Sequence, residues 1–286
     1  MATDLADLAN KRFIVTGANT GIGKVTAKAL ARAGAHVILA CRSRDKTLAV
    51  IDEIVRETGT ARPEYAELDL GDLASVRRAG EAIAARDEPI HGLINNAGLA
   101  GKRGVTKDGF ELTWGTNHLG HYLFTRLLLD RLVQADHARI VNVASKAHYR
   151  ATGIDWHAIH QPTRTVTGLR EYAVSKLSNV LFTKELARRL GGTGVTTYAV
   201  HPGVVATDVW RQVPAPMRWV MKKLMLTPEH GAEATLRCAT APELARETGR
   251  YYDVGGKETA PNRVADDVEL ARTLWTRSAE WAGVPG

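Results

Sequence analysis

The sequence predicts an α/β fold: one domain built on a parallel sheet with helices on both faces. Three observations predict it. Short β-branched or apolar runs alternate with longer stretches of helical spacing, the signature of repeated βαβ units. The chain has 286 residues, enough to bury roughly three quarters of the surface of its unfolded form. No internal repeat, low-complexity tract or Pro/Ser linker divides residues 1–286 into parts.

In order, Arg12–Thr16 (RFIVT) reads as the first buried strand, followed by a helix over Gly23–Ala33. His36–Ala40 (HVILA) is a second apolar run of strand length, and Arg44–Thr58 has helical spacing. A third strand ends just before Glu67, ahead of a helix over Leu73–Arg86. Leu93–Asn95 and Arg139–Val143 (RIVNV) are further strands, separated by a long helix over Thr113–Ala135. A helix over Arg170–Leu190 then leads to strands at Thr196–Val200 and Arg250–Val254. Sheets of this kind bind ligands beyond the carboxyl ends of their strands, where strand order reverses. The loops after the strands are therefore where chemistry is to be sought.

Composition narrows the classes. With 44% hydrophobic and 24% charged residues, the chain is an ordinary globular protein. Cys41 and Cys238 show no CxxC spacing, so neither a disulfide framework nor a zinc site is expected, and reduced thiols suggest a cytoplasmic setting. Residues 1–12 carry two Asp and no long apolar run, from which we expect neither signal peptide nor anchor; no transmembrane segment is predicted anywhere. The net charge of +7 comes from scattered residues with no Lys/Arg block. That argues against nucleic acid and for a solvated surface, with phosphate-bearing ligands or peripheral lipid contact as the alternatives.

After the first strand comes Thr16-Gly17-Ala18-Asn19-Thr20-Gly21-Ile22-Gly23 and then a helix. Gly17 permits a tight turn, Gly21 lets backbone approach a pyrophosphate, and Gly23 allows close packing of helix on strand. The amides at the helix start favour a phosphate. At the end of the second strand, where a carboxylate would bind the ribose hydroxyls of NAD, the chain has Arg42, 19 residues after Gly23. A planar guanidinium suits a 2′-phosphate, so the expected cofactor is NADP(H). Asp69, with Leu70, follows the third strand; it either caps the next helix or accepts from an adenine amino group. Asn96, Ala97 and Gly98 form either a plain turn or a loop lying against ribose or nicotinamide.

Tyr172 and Lys176 stand four residues apart and so share one helix face. Tyrosine, with an ordinary pKa of about 10, is a poor acid–base group near neutrality unless a nearby ammonium lowers it. Ser145 follows the fifth strand and offers a donor to a carbonyl oxygen. The Asn117 amide sits where it could hold a water joining Lys176 to solvent. His118, His121 and His201 lie on separate elements without carboxylates at ligand spacing, so no metal is expected.

Taken together, TGANTGIG at 16–23, NNAG at 95–98, Asn117, Ser145, Tyr172-xxx-Lys176 and His201-Pro202-Gly203 resemble the short-chain dehydrogenase/reductase superfamily over residues from about 10 to about 280. The resemblance implies a Rossmann-like fold with a seven-stranded sheet. It makes Asn117, Ser145, Tyr172 and Lys176 a catalytic tetrad and sets Asp69 on adenine. Asn96, Val143, Pro202, Gly203 and Val204 would line the nicotinamide, with Thr207 on its carboxamide. The run Asn117–His121, the stretch 181–203 and Cys41-Arg42 are similar to the retinol dehydrogenase branch, as is the long gap of 26 residues between Ser145 and Tyr172. Members of that branch commonly carry an N-terminal membrane segment.

What the resemblance implies is an NADP(H)-dependent exchange between an apolar aldehyde or ketone and its alcohol. A double-bond reductase on the same fold and a non-catalytic NADP(H)-binding protein are the competing readings. A segment at about 204–228 holds Met217, Met221 and Met225 on one stripe, which reads as core packing, as an adaptable lid over the substrate, or as a helix resting on lipid. Homo-oligomers through the helices carrying Asn117 and Tyr172 are common in the superfamily.

Overall fold

The structure, a computed structural model, describes residue 5 and residues 7–203 and 226–286. Val204, Thr207, the three-methionine stripe and most of the expected lid segment lie outside the described residues.

Seven strands form one parallel sheet in the order β3-β2-β1-β4-β5-β6-β7. They are β1 Arg12–Thr16, β2 His36–Cys41, β3 Glu64–Glu67, β4 Gly92–Asn95, β5 Arg139–Val143, β6 Thr196–Val200 and β7 Arg250–Tyr252. The helices are α1 Gly21–Arg32, α2 Arg44–Thr58, α3 Leu73–Ala84, a long α4 from Leu112, α5 Leu169–Arg189, α6 Pro228–Thr240 and α7 Val268–Ala282. The expected α/β architecture and every expected strand are present.

Alternate side chains along each strand go to opposite faces, and the core sorts accordingly. Ile14, Ile38, Leu93 and Ile140 face α3, α4, α5 and α7. Phe13, Val15, Val37, Ile94 and Val141 face α1, α2 and α6. Burial on both faces is why the inner strands read as unbroken apolar runs. β3 (EYAE) is an edge strand with no buried residue, so its sequence signal is weak. β7 stops at Tyr252, two residues short of expectation, because Asp253 caps a 3₁₀ turn in which Gly255 and Gly256 hold positive φ.

Sequence order reverses between β1 and β4. The crevice at their carboxyl ends is thus the switch point at which such sheets bind ligands.

The helix expected over Thr113–Ala135 is interrupted. α4 runs as α over Leu112–Trp114, as a π turn over Gly115–Leu119, and as α again over Gly120–Val133. Two glycines let it lie close to its neighbours. A Cβ on Gly115 would fall 2.5 Å from Thr106 Cγ2, and one on Gly120 only 2.4 Å from the Leu70 carbonyl oxygen. π turns within α-helices mark functional positions more often than chance, and this one carries Asn117.

Candidate active site

The strand-to-helix loop is shaped by its glycines. Gly17 and Gly21 adopt φ of 66° and 55°, and a Cβ on Gly17 would press within 2.9 Å of Ala97. A Cβ on Gly23 would meet Asn96 Nδ2 at 2.4 Å and the Gly17 carbonyl oxygen at 2.6 Å, so its bareness admits both the neighbouring loop and the close approach of α1 to the turn that leaves β1. No acidic residue occupies the first turn of α1, which leaves its N–H groups and dipole to an anion. Asn19 and Ile22 are half-buried on this loop, and Thr20 precedes α1.

Thr16 fastens this loop to the next. Its Oγ1 accepts from the Asn96 and Ala97 amides at 3.0 and 2.9 Å and lies 2.9 Å from His121 Nε2; Asn96 Nδ2 donates to the Thr16 carbonyl at 2.8 Å. His121 Nδ1 in turn lies 3.0 Å from the Asn117 carbonyl oxygen. A carbonyl only accepts, so Nδ1 carries the proton and Nε2 takes the Thr16 hydroxyl hydrogen. Burial keeps this ring neutral, its pKa pushed down to about 4. Neither Thr16 nor His121 was expected at the site. Only the histidine, four residues beyond Asn117, carried a signal; the role of the Thr16 hydroxyl depends on neighbours that the fold supplies.

At the far end of β2, the Arg42 side chain is 73% exposed and its Nη1 lies 3.9 Å from Asp69 Oδ2. Asp69 does not cap α3; that cap is Asp72, which accepts from the Ser75 amide at 3.2 Å. Asp69 Oδ1 instead accepts from the Gly71 amide at 3.0 Å. Leu70 is buried beneath it. Arg42 and Asp69 therefore flank the ends of β2 and β3 together.

The proton-transfer group assembles where β5 ends. Lys176 Nζ donates to the Val143 carbonyl at 2.8 Å, a carbonyl shared with Asn179 Nδ2 at 3.2 Å. That ammonium lies 5.6 Å from the centre of the Tyr172 ring. Gly98 leans over both: a Cβ there would stand 3.3 Å from Asn117 Oδ1 and 3.5 Å from Lys176 Nζ. Ser145 begins the turn after β5, its hydroxyl accepting from the Ala147 amide at 3.2 Å. The structure thus brings Asn117, Ser145, Tyr172 and Lys176 to one end of β4 and β5, beside the glycine loop. Pro202 and Gly203, with φ of 91°, follow β6 on the same side.

The Asn117 amide is engaged on three sides, which leaves one acceptor site on Oδ1 for the expected water. Its Oδ1 accepts from the Leu99 amide at 2.9 Å, and its Nδ2 donates to the Leu99 carbonyl and to Ser175 Oγ, both at 3.0 Å. Ser175 passes the chain on to the Tyr172 carbonyl at 2.8 Å. Desolvation raises the pKa of Tyr172, against a hydrogen bond from Ser145 that pulls it down. Lys176 is itself pushed down to about 7 by burial, which weakens the field it exerts on the ring. Among the described residues, no cluster of three His, Cys, Asp or Glu stands ready for a metal, and no helix is long and apolar enough to cross a membrane.

The sequence model of the family described as short chain dehydrogenase matches residues 11–158. Human retinol dehydrogenase 13 is 43% identical over 98% of this chain and 86% of its own length. Human retinol dehydrogenase 11 is 41% identical over 100% and 90%. An uncharacterized protein from Mycobacterium paratuberculosis superposes with a TM-score of 0.79 at 34% identity, covering 99% of this chain and 97% of that one. A protein from Beutenbergia cavernae, named as an NAD(P)-dependent gluconate 5-dehydrogenase and holding NADP at low occupancy, reaches 0.72 at 27%, covering 87% and 97%.

Proposed function

This chain belongs to the short-chain dehydrogenase family, in its retinol dehydrogenase branch, and is an oxidoreductase of CH–OH and C=O groups; on that footing we propose that it uses NADP(H) to interconvert an apolar aldehyde or ketone with its alcohol. The observation that carries the reading is the convergence of Ser145, Tyr172 and Lys176 beside an anion-ready glycine loop.

The residues present fit the cofactor. Gly17, Asn19, Thr20, Gly21, Ile22 and Gly23 would cradle the pyrophosphate against α1, and the Asp69-Leu70 edge would meet adenine. Arg42, exposed and loosely paired, is available to a 2′-phosphate. Asn96, Ala97, Gly98, Val143, Pro202 and Gly203 would line the nicotinamide end. Val204 and Thr207 would complete that wall, as the resemblance implies, and they fall outside the described residues. When bound, the cofactor supplies or takes a hydride at its nicotinamide ring.

The chain's own groups manage the proton and the oxygen. Ser145 donates to the substrate carbonyl oxygen and holds it at the site of developing negative charge. Tyr172 gives its phenolic proton to that oxygen in reduction and takes it back in oxidation. Lys176 would hold the ribose hydroxyls of a bound cofactor; with those acceptors in place of lost water, its ammonium would be charged and would draw the phenol down. Asn117, through Ser175, braces the turn of α5 that presents Tyr172.

The retinol dehydrogenase relatives favour a long apolar substrate, retinal-like in shape. A reducing, cytoplasm-like compartment belongs to the same reading, supported by Cys41 and Cys238, both free and buried. The test is NADPH and NADH oxidation at 340 nm against a panel of apolar aldehydes and ketones including all-trans-retinal. Turnover preferring NADPH and apolar carbonyls supports the reading; activity only with NADH, or on carbon–carbon double bonds alone, refutes it.

A further inference from the structure

The turn that carries Ser145 is held from behind by a histidine to which the mechanism above gives no part. His148 is completely buried. Its Nδ1 lies 2.7 Å from the Ser145 carbonyl oxygen, and its Nε2 lies 3.0 Å from the backbone nitrogen of Asn262. A carbonyl can only accept and an amide N–H can only donate. The ring must therefore hold its proton on Nδ1 and a lone pair on Nε2, one neutral tautomer with both ends used. Burial favours the same neutral form.

The ring is also fixed by its neighbours. Its centroid stands 4.1 Å from that of Tyr149 and 4.8 Å from that of Tyr251. Asn262 returns the contact, donating through Nδ2 to the carbonyls of His148 at 2.9 Å and Ala151 at 2.7 Å. Its Oδ1 accepts from the Val264 amide at 3.1 Å, and the Tyr149 hydroxyl donates to the Ala260 carbonyl. The Ser145 turn is in this way latched to the segment that follows β7, more than a hundred residues along the chain.

A residue serving only to fill space would need no bond at either nitrogen; a phenyl ring would pack against the two tyrosines as well. The two-ended bond instead controls where the Ser145 backbone sits. A donor aimed at a developing oxyanion acts only when held close to its productive position, and displacement by about 1 Å can cost on the order of a hundredfold in rate. We propose that His148 is the positioning residue of Ser145. It clamps the Ser145 carbonyl to the Asn262 amide so that the hydroxyl addresses the substrate oxygen, and it thereby makes the Asn262 segment part of the active-site frame. This rests on the reading of Ser145 as the group that holds that oxygen.

The test is a double-mutant cycle on kcat and kcat/KM of NADPH-dependent carbonyl reduction, with NADPH affinity measured by fluorescence for each protein. Ser145→Ala is expected to lose on the order of a hundredfold or more in kcat. His148→Phe, which keeps the aromatic contacts, is expected to lose on the order of tenfold to a hundredfold at unchanged NADPH affinity. In the Ser145→Ala background, His148→Phe is expected to cost nothing further, because the residue it positions is gone. His148→Asn keeps a donor at the δ position facing Ser145 and is expected to recover most of the rate. His148→Gln keeps a polar group only at the ε position facing Asn262 and is expected to behave like His148→Phe, so it carries the cycle if the phenylalanine variant does not fold.

Losses that multiply in the double variant overturn the positioning role, as does a His148→Gln enzyme at wild-type rate. Wild-type turnover in Ser145→Ala overturns the oxygen-holding role of Ser145, and the proposal for His148 falls with it. A slow Ser145→Ala enzyme beside a fully active His148→Phe enzyme overturns the His148 proposal alone.

Discussion

At the scale of single residues, the cofactor end was the more legible part of the site. The spacing of Gly17, Gly21 and Gly23 announced a phosphate loop because positive φ and missing Cβ atoms leave few alternatives to glycine. The lack of a carboxylate after β2 was equally plain. Arg42 makes only a long, exposed contact with Asp69, of the kind worth well under about 1 kcal/mol. Its charge is therefore free for a phosphate. Arg42→Ala is expected to raise KM for NADPH about tenfold, the loss of one charge-assisted contact, and to leave KM for NADH within about twofold. Steady-state kinetics with both cofactors checks this; an equal effect on the two would contradict it. Hidden from the sequence were residues whose roles depend on three-dimensional neighbours. Thr16 uses its hydroxyl fully, giving one hydrogen and taking two, and nothing in a lone threonine signals that. Ser175 is in the same position.

At the scale of elements, strands with two buried faces were readable and edge or terminal pieces were not. β3 could be located only by what followed it. α6 and α7 went unread as helices although both carry start signals. Thr227 precedes Pro228 at the head of α6, Asp267 caps α7 through the Leu270 amide, and Gly283 ends α7 in the left-handed region. Their apolar stripes are short and alanine-rich, which blunts the periodic signal. The break in α4 was also illegible, since a π turn leaves the apolar spacing nearly intact. That helix has a measurable consequence. It buries His118 and His121, whose pKa values are pushed down to about 3 and about 4 by desolvation. Each is protonated in the unfolded chain below its ordinary pKa of 6.5 but stays neutral when folded. The stability these two histidines contribute is therefore complete above pH 6.5 and is lost as pH falls toward 4, by about 1.4 kcal/mol per pH unit for each. Urea unfolding at pH 6.5 and pH 5 should show this slope. His118→Gln should flatten it by roughly one histidine's share, and an unchanged slope in that variant would contradict the account.

At the scale of the whole molecule, the reversal of strand order between β1 and β4 decides where chemistry can occur. Every described candidate residue lies at the carboxyl end of the sheet, as the fold class led us to expect. The outer face of α4 and α5 bears on association. α7 packs on it, with Trp275 only 4% exposed against Tyr122 and Phe182 and under the guanidinium groups of Arg126 and Arg189 at 4.8 and 4.3 Å. Ser278 Oγ reaches His118 Nε2 at 3.0 Å, and Trp281 closes on Phe110 and Trp114. With this face covered by the chain's own helix, we expect a monomer of 31.1 kDa by light scattering. Trp275→Ala should cost about 3–5 kcal/mol of stability and, by loosening α7, promote association. A wild-type dimer would contradict this.

The central claim is that Tyr172 exchanges the proton while the cofactor exchanges the hydride. The most direct measurement is single-turnover reduction by NADPH in Tyr172→Phe, with NADPH binding followed by fluorescence in the same samples. Binding is expected within about twofold of wild type, with a chemical step slower by about 10²–10⁴-fold, the range of a positioned acid–base group. A variant that binds NADPH and turns over within a few-fold of wild type would contradict it.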